Sequence, residues 1–250
     1  MTTKQPSKDS NSPLTEPDQN STVDSLDTKL THQKTDTLLS KFDLADRVLS
    51  AFIHDCVIKP QILEMLVLPF SLAFHPVAVI CLIYVIGFLL PKHNIVVGEN
   101  KVNETGFRDE AEVIMSPNQL MAQYAAQVVC VLILTTITKR YFKRTRPVIP
   151  IQSKRMIDLR SKETNCSMPS GDVAQAALFA FFIKYHFVNL FVRLGGDYFI
   201  LKFVALVSFA RVFHHCHFFG DTIVGAMIGF YVAFGFQFLE IIVPLPEYLL

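Results

Sequence analysis

Tryptophan is absent from the 250 residues of this chain, and charged side chains make up only 18% of it. The first absence removes the indole belt that often marks a membrane interface. The second, together with a formal net charge of +1, argues against a nucleic-acid partner, because counterion release needs a basic surface. Cysteine is scarce and odd in number (Cys56, Cys81, Cys130, Cys166 and Cys216), with no C-x-x-C pair. That pattern provides neither a zinc site nor a disulfide framework. No clustered carboxylate motif suited to a hard cation occurs, so no metal is expected. Residues 1–40 are polar and lack an apolar core, so no cleavable signal peptide is expected.

What the chain does have is apolar length. Hydrophobic residues make up 51% of it, phenylalanine alone contributing 22, and they are gathered in long runs. One run covers 62–90 and is interrupted by Pro69 and Pro76; four more cover 119–138, 172–193, 198–214 and 222–243. Each of the four is near the roughly 20 residues that cross hydrocarbon as a helix. The expected fold is therefore an all-α, multi-span transmembrane helix bundle of five spans, or six if the first run crosses twice. Residues 1–40 are expected to be a disordered polar tail. Over 41–58, Leu44, Val48, Ala51, Phe52 and Val57 recur at helical spacing opposite Asp43, Asp46 and Arg47, which predicts an amphipathic interfacial helix. The membrane domain is then 59–250.

Three short segments carry charge or nucleophiles at the ends of these runs. Lys139 and Arg146 are separated by six residues, and Pro147 follows; taken alone, this reads as a basic flank on a membrane helix. Pro169, Ser170, Gly171 and Asp172 open the next run. Such a turn serves as a helix cap, and it also points free N–H groups and the positive end of the helix dipole at an anion. Arg211 ends the fourth run, and His217 and Asp221 follow four residues apart from each other. An imidazole whose tautomer is fixed by an acceptor on one nitrogen is free to attack with the other.

Taken together, the order K-x6-R-P, P-S-G, R-x5-H-x3-D resembles the type 2 phosphatidic acid phosphatase superfamily over roughly residues 119–240. Two positions depart from its pattern: Ala210 stands where the family has Ser, and Asp172 stands where it has the His of P-S-G-H. The resemblance implies a membrane-embedded, metal-independent lipid phosphatase without a cofactor, acting on a phosphomonoester or a diphosphate such as phosphatidate or a polyisoprenyl diphosphate. It assigns His217 as the nucleophile that forms a phosphohistidine and Asp221 as its orienting carboxylate. Lys139, Arg146, Ser170, Gly171 and Arg211 become the phosphate cradle.

Asp172 occupies the place of the family's general acid. Four consequences stay open: Asp172 shuttles the proton, His214 or His215 replaces it, the substrate has a leaving group good enough to need no acid, or activity is lost and a non-enzymatic membrane homologue remains. A lipid phosphotransferase is the rival within enzymes. The loop from Lys139 to Lys162 is basic and residues 92–117 are net acidic, so the positive-inside rule puts the catalytic loops on the cytoplasmic side. An endomembrane such as the endoplasmic reticulum is the expected residence.

Overall fold

The computed structural model describes residues 40–53, 60–90, 99–102, 108–111, 115–148 and 158–242. The chain divides into two units, Met1–Ala45 and Asp46–Leu250. Of the first, only residues 40–45 are described, and they are helical. The expected polar tail before Ser40 and the last residues of the expected interfacial helix, 54–58, lie outside the described residues.

The second unit begins with α1 (residues 46–53). It continues through α2 (Pro60–Leu72), α3 (Pro76–Leu89), β1 (Glu99–Val102), β2 (Arg108–Ala111), α4 (Pro117–Phe142), a 3-10 turn at Arg160–Lys162, α5 (Gly171–His186), α6 (Val188–Arg193), α7 (Asp197–Phe213) and α8 (Phe219–Ile242). The two strands pair antiparallel, with Glu99 opposite Ala111 and Val102 opposite Arg108.

Local chemistry sets several boundaries. Pro76 disfavours helical backbone at the residue before it; His75 is accordingly extended, with φ −67° and ψ 125°, and α2 and α3 meet at an 81° bend. The α4 N-terminus carries a reciprocal capping box: the Gln119 N–H donates to Ser116 Oγ at 3.3 Å and the Ser116 N–H donates to Gln119 Oε1 at 2.7 Å. The run expected over 172–193 breaks at Phe187, between α5 and α6. The break leaves Lys184 in the last turn of α5, where it pairs with Asp197 at the start of α7 at 2.7 Å. Lys184, inside the apolar run over 172–193, is thus a helix-end residue. The α6–α7 turn uses positive φ at Gly195 and Gly196, 111° and 60°, which side chains with a Cβ rarely adopt.

The bundle is apolar on its outside. On α4, Val129, Leu132, Ile133, Leu134 and Ile137 are exposed, and on α8 so are Ile223, Met227, Tyr231, Phe234 and Phe238. Two outward faces of this length are stable only against hydrocarbon, and the protein is an integral membrane protein. Among the described residues, α4 and α8 are long and apolar enough to cross by themselves, and the bent α2–α3 pair makes a third crossing if it counts as one. The longer count expected from sequence includes α5 and α7. These have 16 and 17 residues and extend only about 24–26 Å at 1.5 Å per residue.

Helix α5 is the buried centre, with Val173, Ala174, Ala176, Leu178, Ala180 and Ile183 all fully or nearly fully enclosed. It packs on α8, α7 and α4. The Tyr124 and Phe182 rings meet edge to face with centroids 4.9 Å apart. Against α8 the approach is close enough to require glycine. A Cβ on Gly225 would overlap the Ser170 carbonyl oxygen, and one on Gly229 would overlap that of Ala174. The G-x-x-x-G of α8 is therefore a packing seam within the chain, and it fixes the turn that opens α5.

Candidate active site

Each expected site segment sits at a helix end. Lys139 lies half-buried in the last turn of α4, with Arg146, Glu163, Asp172 and Arg211 as its charged neighbours. Lys143 then ends the helix in a left-handed conformation and turns the chain into the loop that carries Arg144 and Arg146. That loop is tied down by the Ser167 N–H, which donates to the Arg144 carbonyl at 2.8 Å. Arg160 closes it further by donating to the carbonyls of Pro147 and Glu163 at 3.2 and 2.9 Å.

The turn that delivers His217 has a backbone explanation. At the end of α7 the His215 N–H donates to the Val212 carbonyl and the Cys216 N–H to the Arg211 carbonyl, with His215 at φ 56°. This is a Schellman ending with histidine in the left-handed position. His214 packs its ring edge-on against Phe213, centroids 5.4 Å apart. Both histidines are buried and belong to this turn. Cys216 and Cys166 are both free thiols.

His217 is fully buried. Its Nδ1 lies 2.7 Å from the carbonyl oxygen of Ser167 and 3.8 Å from Asp221 Oδ2. A carbonyl oxygen can only accept, so Nδ1 carries the proton and Nε2 presents its lone pair. Nε2 is 3.3 Å from Arg146 Nη1. Burial depresses the imidazole to a pKa of about 4, Arg211 and Arg146 push the same way, and Asp221 opposes them. The ring is neutral at physiological pH.

Asp221 is also fully enclosed. Its Oδ2 accepts from the Ser167 hydroxyl and from the Phe218 N–H, the latter at 2.9 Å, and its Oδ1 accepts from Arg144 Nη1 at 2.7 Å. Ser167 supplies the nearer acceptor for His217 Nδ1, and Asp221, for which the orienting role is expected, holds Ser167.

The two arginines of the expected cradle converge on one carboxylate. Arg146 Nη2 donates to Glu163 Oε2 at 2.9 Å, and Arg211 Nη2 donates to Glu163 Oε1. Burial works to raise the Glu163 pKa, but Arg211 and Arg146 outweigh it and hold the carboxyl below its ordinary range. Arg146 is further fixed by the carbonyls of Cys216 at 2.6 Å and Asn165 at 2.7 Å. Arg211 reaches the Ser71 carbonyl on α2 at 3.1 Å and Asp172 Oδ2 at 3.0 Å. Asp172, in the first turn of α5, is therefore an ion-pair partner of the cradle. Ser170 is buried, and its hydroxyl has no hydrogen-bond partner among the described residues. A Cβ at Gly171 would meet only open space. Among the described residues, no three His, Cys, Asp or Glu side chains are grouped to hold a metal.

The structure thus gathers Lys139, Arg146, Asp172, Arg211, His217 and Asp221 around one point. It adds four residues that the sequence reading missed: Asp46, Arg144, Glu163 and Ser167. Glu163 had one available signal, as a loop acid just ahead of the Pro-Ser-Gly turn. Ser167 acts through a backbone carbonyl, which leaves no mark in sequence.

No curated protein matches the chain. Two solved structures share its fold. Aquifex aeolicus LpxE does so at 17% identity and a TM-score of 0.51, over 76% of this chain and 92% of that one. The first transmembrane PAP2 type phosphatidylglycerolphosphate phosphatase from Bacillus subtilis does so at 16% identity and a TM-score of 0.54, over 83% and 89%. Residues 120–239 match the family model described as the PAP2 superfamily, a stretch that contains every residue of the expected cradle together with His217 and Asp221. By that match the chain belongs to the PAP2 superfamily.

Proposed function

We propose that this protein is a membrane lipid phosphatase in which His217 Nε2 attacks the phosphorus of a lipid phosphate. The observation that carries the reading is the Arg146 fork. One nitrogen of its guanidinium faces the His217 lone pair, and the other, with Arg211, grips the two oxygens of Glu163. A carboxylate held by two arginines occupies the place that two non-bridging phosphate oxygens need. An incoming phosphate takes over Arg146 and Arg211 from Glu163 and lies beside the nucleophile. Lys139, the Ser170 hydroxyl and the Gly171 N–H at the α5 N-terminus complete the cradle. Fixed positive charge of this kind is the main contribution a protein makes to phosphoryl transfer.

In the first step the Nε2–P bond forms and the bond from phosphorus to the leaving oxygen breaks, giving phosphohistidine. In the second, water attacks phosphorus, the P–N bond breaks and inorganic phosphate leaves. A phosphomonoester requires a proton on its departing alkoxide. A diphosphate attacked at its terminal phosphorus releases a lipid phosphomonoester that is stable as an anion. Because Asp172 is engaged with Arg211, polyisoprenyl diphosphates fit this chain better than phosphatidate does.

Phosphate release by the purified protein in nanodiscs, from phosphatidate, lysophosphatidate and farnesyl diphosphate, tests the reading. The expected result is turnover of at least one lipid, fastest for the diphosphate, and its abolition in His217→Ala. Equal release by both proteins refutes it.

A further inference from the structure

The catalytic helix α8 is held from outside the family-matched stretch. Its first two N–H groups have no partner within the helix, as in any helix start, and α1 supplies both. The Phe219 N–H donates to Ser50 Oγ at 2.9 Å and the Gly220 N–H donates to Asp46 Oδ1 at 2.7 Å. Asp46 and Ser50 are four residues apart and so share a helix face. Ser50 is fully buried, and the Asp46 side chain is 15% exposed. A Cβ at Gly220 would lie 2.7 Å from Asp46 Oδ2, so a side chain just before Asp221 displaces the Asp46 carboxylate.

Asp46 makes a second contact. Arg144 Nη1 donates to Asp46 Oδ2 and to Asp221 Oδ1, both at 2.7 Å. One nitrogen with two hydrogens is thereby divided between two carboxylates. The Phe218 ring is covered by both arginines of this corner, with the Arg144 guanidinium 4.3 Å and that of Arg47 5.1 Å from its centroid. A continuous line of polar contacts runs from Asp46 through Arg144 and Asp221 to Ser167, whose carbonyl holds His217 Nδ1.

We infer that Asp46 and Ser50 are positioning residues of the active site: they dock α1 onto the start of α8 and, through Arg144, set the carboxylate that keeps His217 aligned for attack. The functional part of this inference rests on the phosphatase reading; the structural part does not. Without Asp46, Arg144 turns wholly to Asp221, and the first turn of α8 loses its cap. Lys139, Arg146 and Arg211, the cations assigned to phosphate, lie outside this line of contacts. The loss therefore falls on kcat and not on KM. The charged groups facing His217 are Arg146 from the loop after α4, Glu163 from the loop before α5, Arg211 from α7 and Asp221 from α8. Asp46 changes the last of these through Arg144.

Full-length protein in nanodiscs decides the matter, with three variants: Asp46→Asn, Ser50→Ala and Gly220→Ala. Asp46→Asn is expected to lower kcat roughly tenfold or more, as for loss of a charge-assisted hydrogen bond, with KM held within about threefold. Gly220→Ala, which pushes the carboxylate away, reproduces that pattern, and Ser50→Ala gives a smaller loss of the same kind. In ¹⁵N-histidine spectra, the Nδ1–H signal assigned by comparison with His217→Gln is sharp in the parent protein. In Asp46→Asn it shifts or splits.

Variants that melt earlier yet keep kcat, the acid limb of the pH profile and the His217 signal overturn the inference, because those readouts would not stay fixed if alignment depended on Asp46. If Asp46→Asn does not fold, Ser50→Ala and Gly220→Ala carry the same test. A parent protein that releases phosphate from none of the three lipids refutes the phosphatase reading instead, and the imidazole spectra then settle the positioning role alone.

Discussion

The carbonyl oxygen of Ser167 stands 1.1 Å nearer to His217 Nδ1 than the Asp221 carboxylate does, at 2.7 against 3.8 Å. A neutral backbone group therefore fixes which nitrogen of the imidazole is free, and the carboxylate acts one bond further out.

Asp221→Asn should accordingly leave a measurable enzyme. The tautomer survives on Ser167, and what is lost is charge-assisted hydrogen bonding to Arg144 and the Ser167 hydroxyl. That loss is worth about 1.5–3 kcal/mol, or roughly 10- to 150-fold in kcat. Steady-state kinetics of the variant against His217→Ala, which should be inactive, check this.

The pH profile should be displaced to the acid side. In the proposed mechanism His217 must be neutral to attack, and burial with Arg211 and Arg146 depresses its pKa to about 4 from 6.5. Activity is retained as pH falls through 6.5 and disappears as pH falls through the depressed value. For stability the sign is the same: the unfolded chain binds a proton on this residue first, so the fold is penalised from pH 6.5 down to about 4. A plot of log kcat/KM against pH, which reports the free enzyme, should show no break near 6.5 from this group.

Glu163→Gln should tighten anion binding. The carboxylate that competes for Arg146 and Arg211 becomes a neutral amide. Orthovanadate inhibition should strengthen by about tenfold, equivalent to ~1.4 kcal/mol. Weaker inhibition would mean that Glu163 organises the arginines instead of standing in the phosphate position.

Asp172→His should favour phosphatidate selectively. It releases Arg211 from an ion pair of 3.0 Å and places a proton donor at the α5 N-terminus, where general-acid catalysis typically contributes about 10²- to 10⁴-fold. The rate ratio of phosphatidate to farnesyl diphosphate is the measurement. An unchanged ratio would show that another group already protonates the alcohol.

Gly229→Ala should destabilise without touching the chemistry directly. The added methyl would overlap the Ala174 carbonyl oxygen, and overpacking of this sort costs about 1–3 kcal/mol. Thermal unfolding in detergent reads the loss.

In the sequence, Lys139, Arg146, Arg211, His217 and Asp221 stand out because each lies near the end of an apolar run, at spacings that a helix end or a short turn imposes. Their partners do not. Glu163 sits in an irregular loop with no period to mark it. Arg144 reads as one more basic residue in a basic stretch, and its link to Asp46 spans almost a hundred positions. The helix content is plain from the apolar runs, and Pro76 marks the bend between α2 and α3 without giving its angle of 81°, whereas the break at Phe187 depends on packing that hydrophobicity does not encode. His214 and His215 sit in the turn that ends α7, with His215 at φ 56°, a placement that the apolar runs do not show.

The glycine seam between α5 and α8 has a mechanical consequence. Gly225 lies directly on the Ser170 carbonyl and Gly229 on that of Ala174, so the two helices are keyed against sliding past one another along their axes. Bilayers differ in thickness, and a helix answers a mismatch by tilting. Keyed together, α5 and α8 tilt as one body. The distance from the Ser170 turn to the His217 imidazole is then insulated from the lipid in which the protein resides.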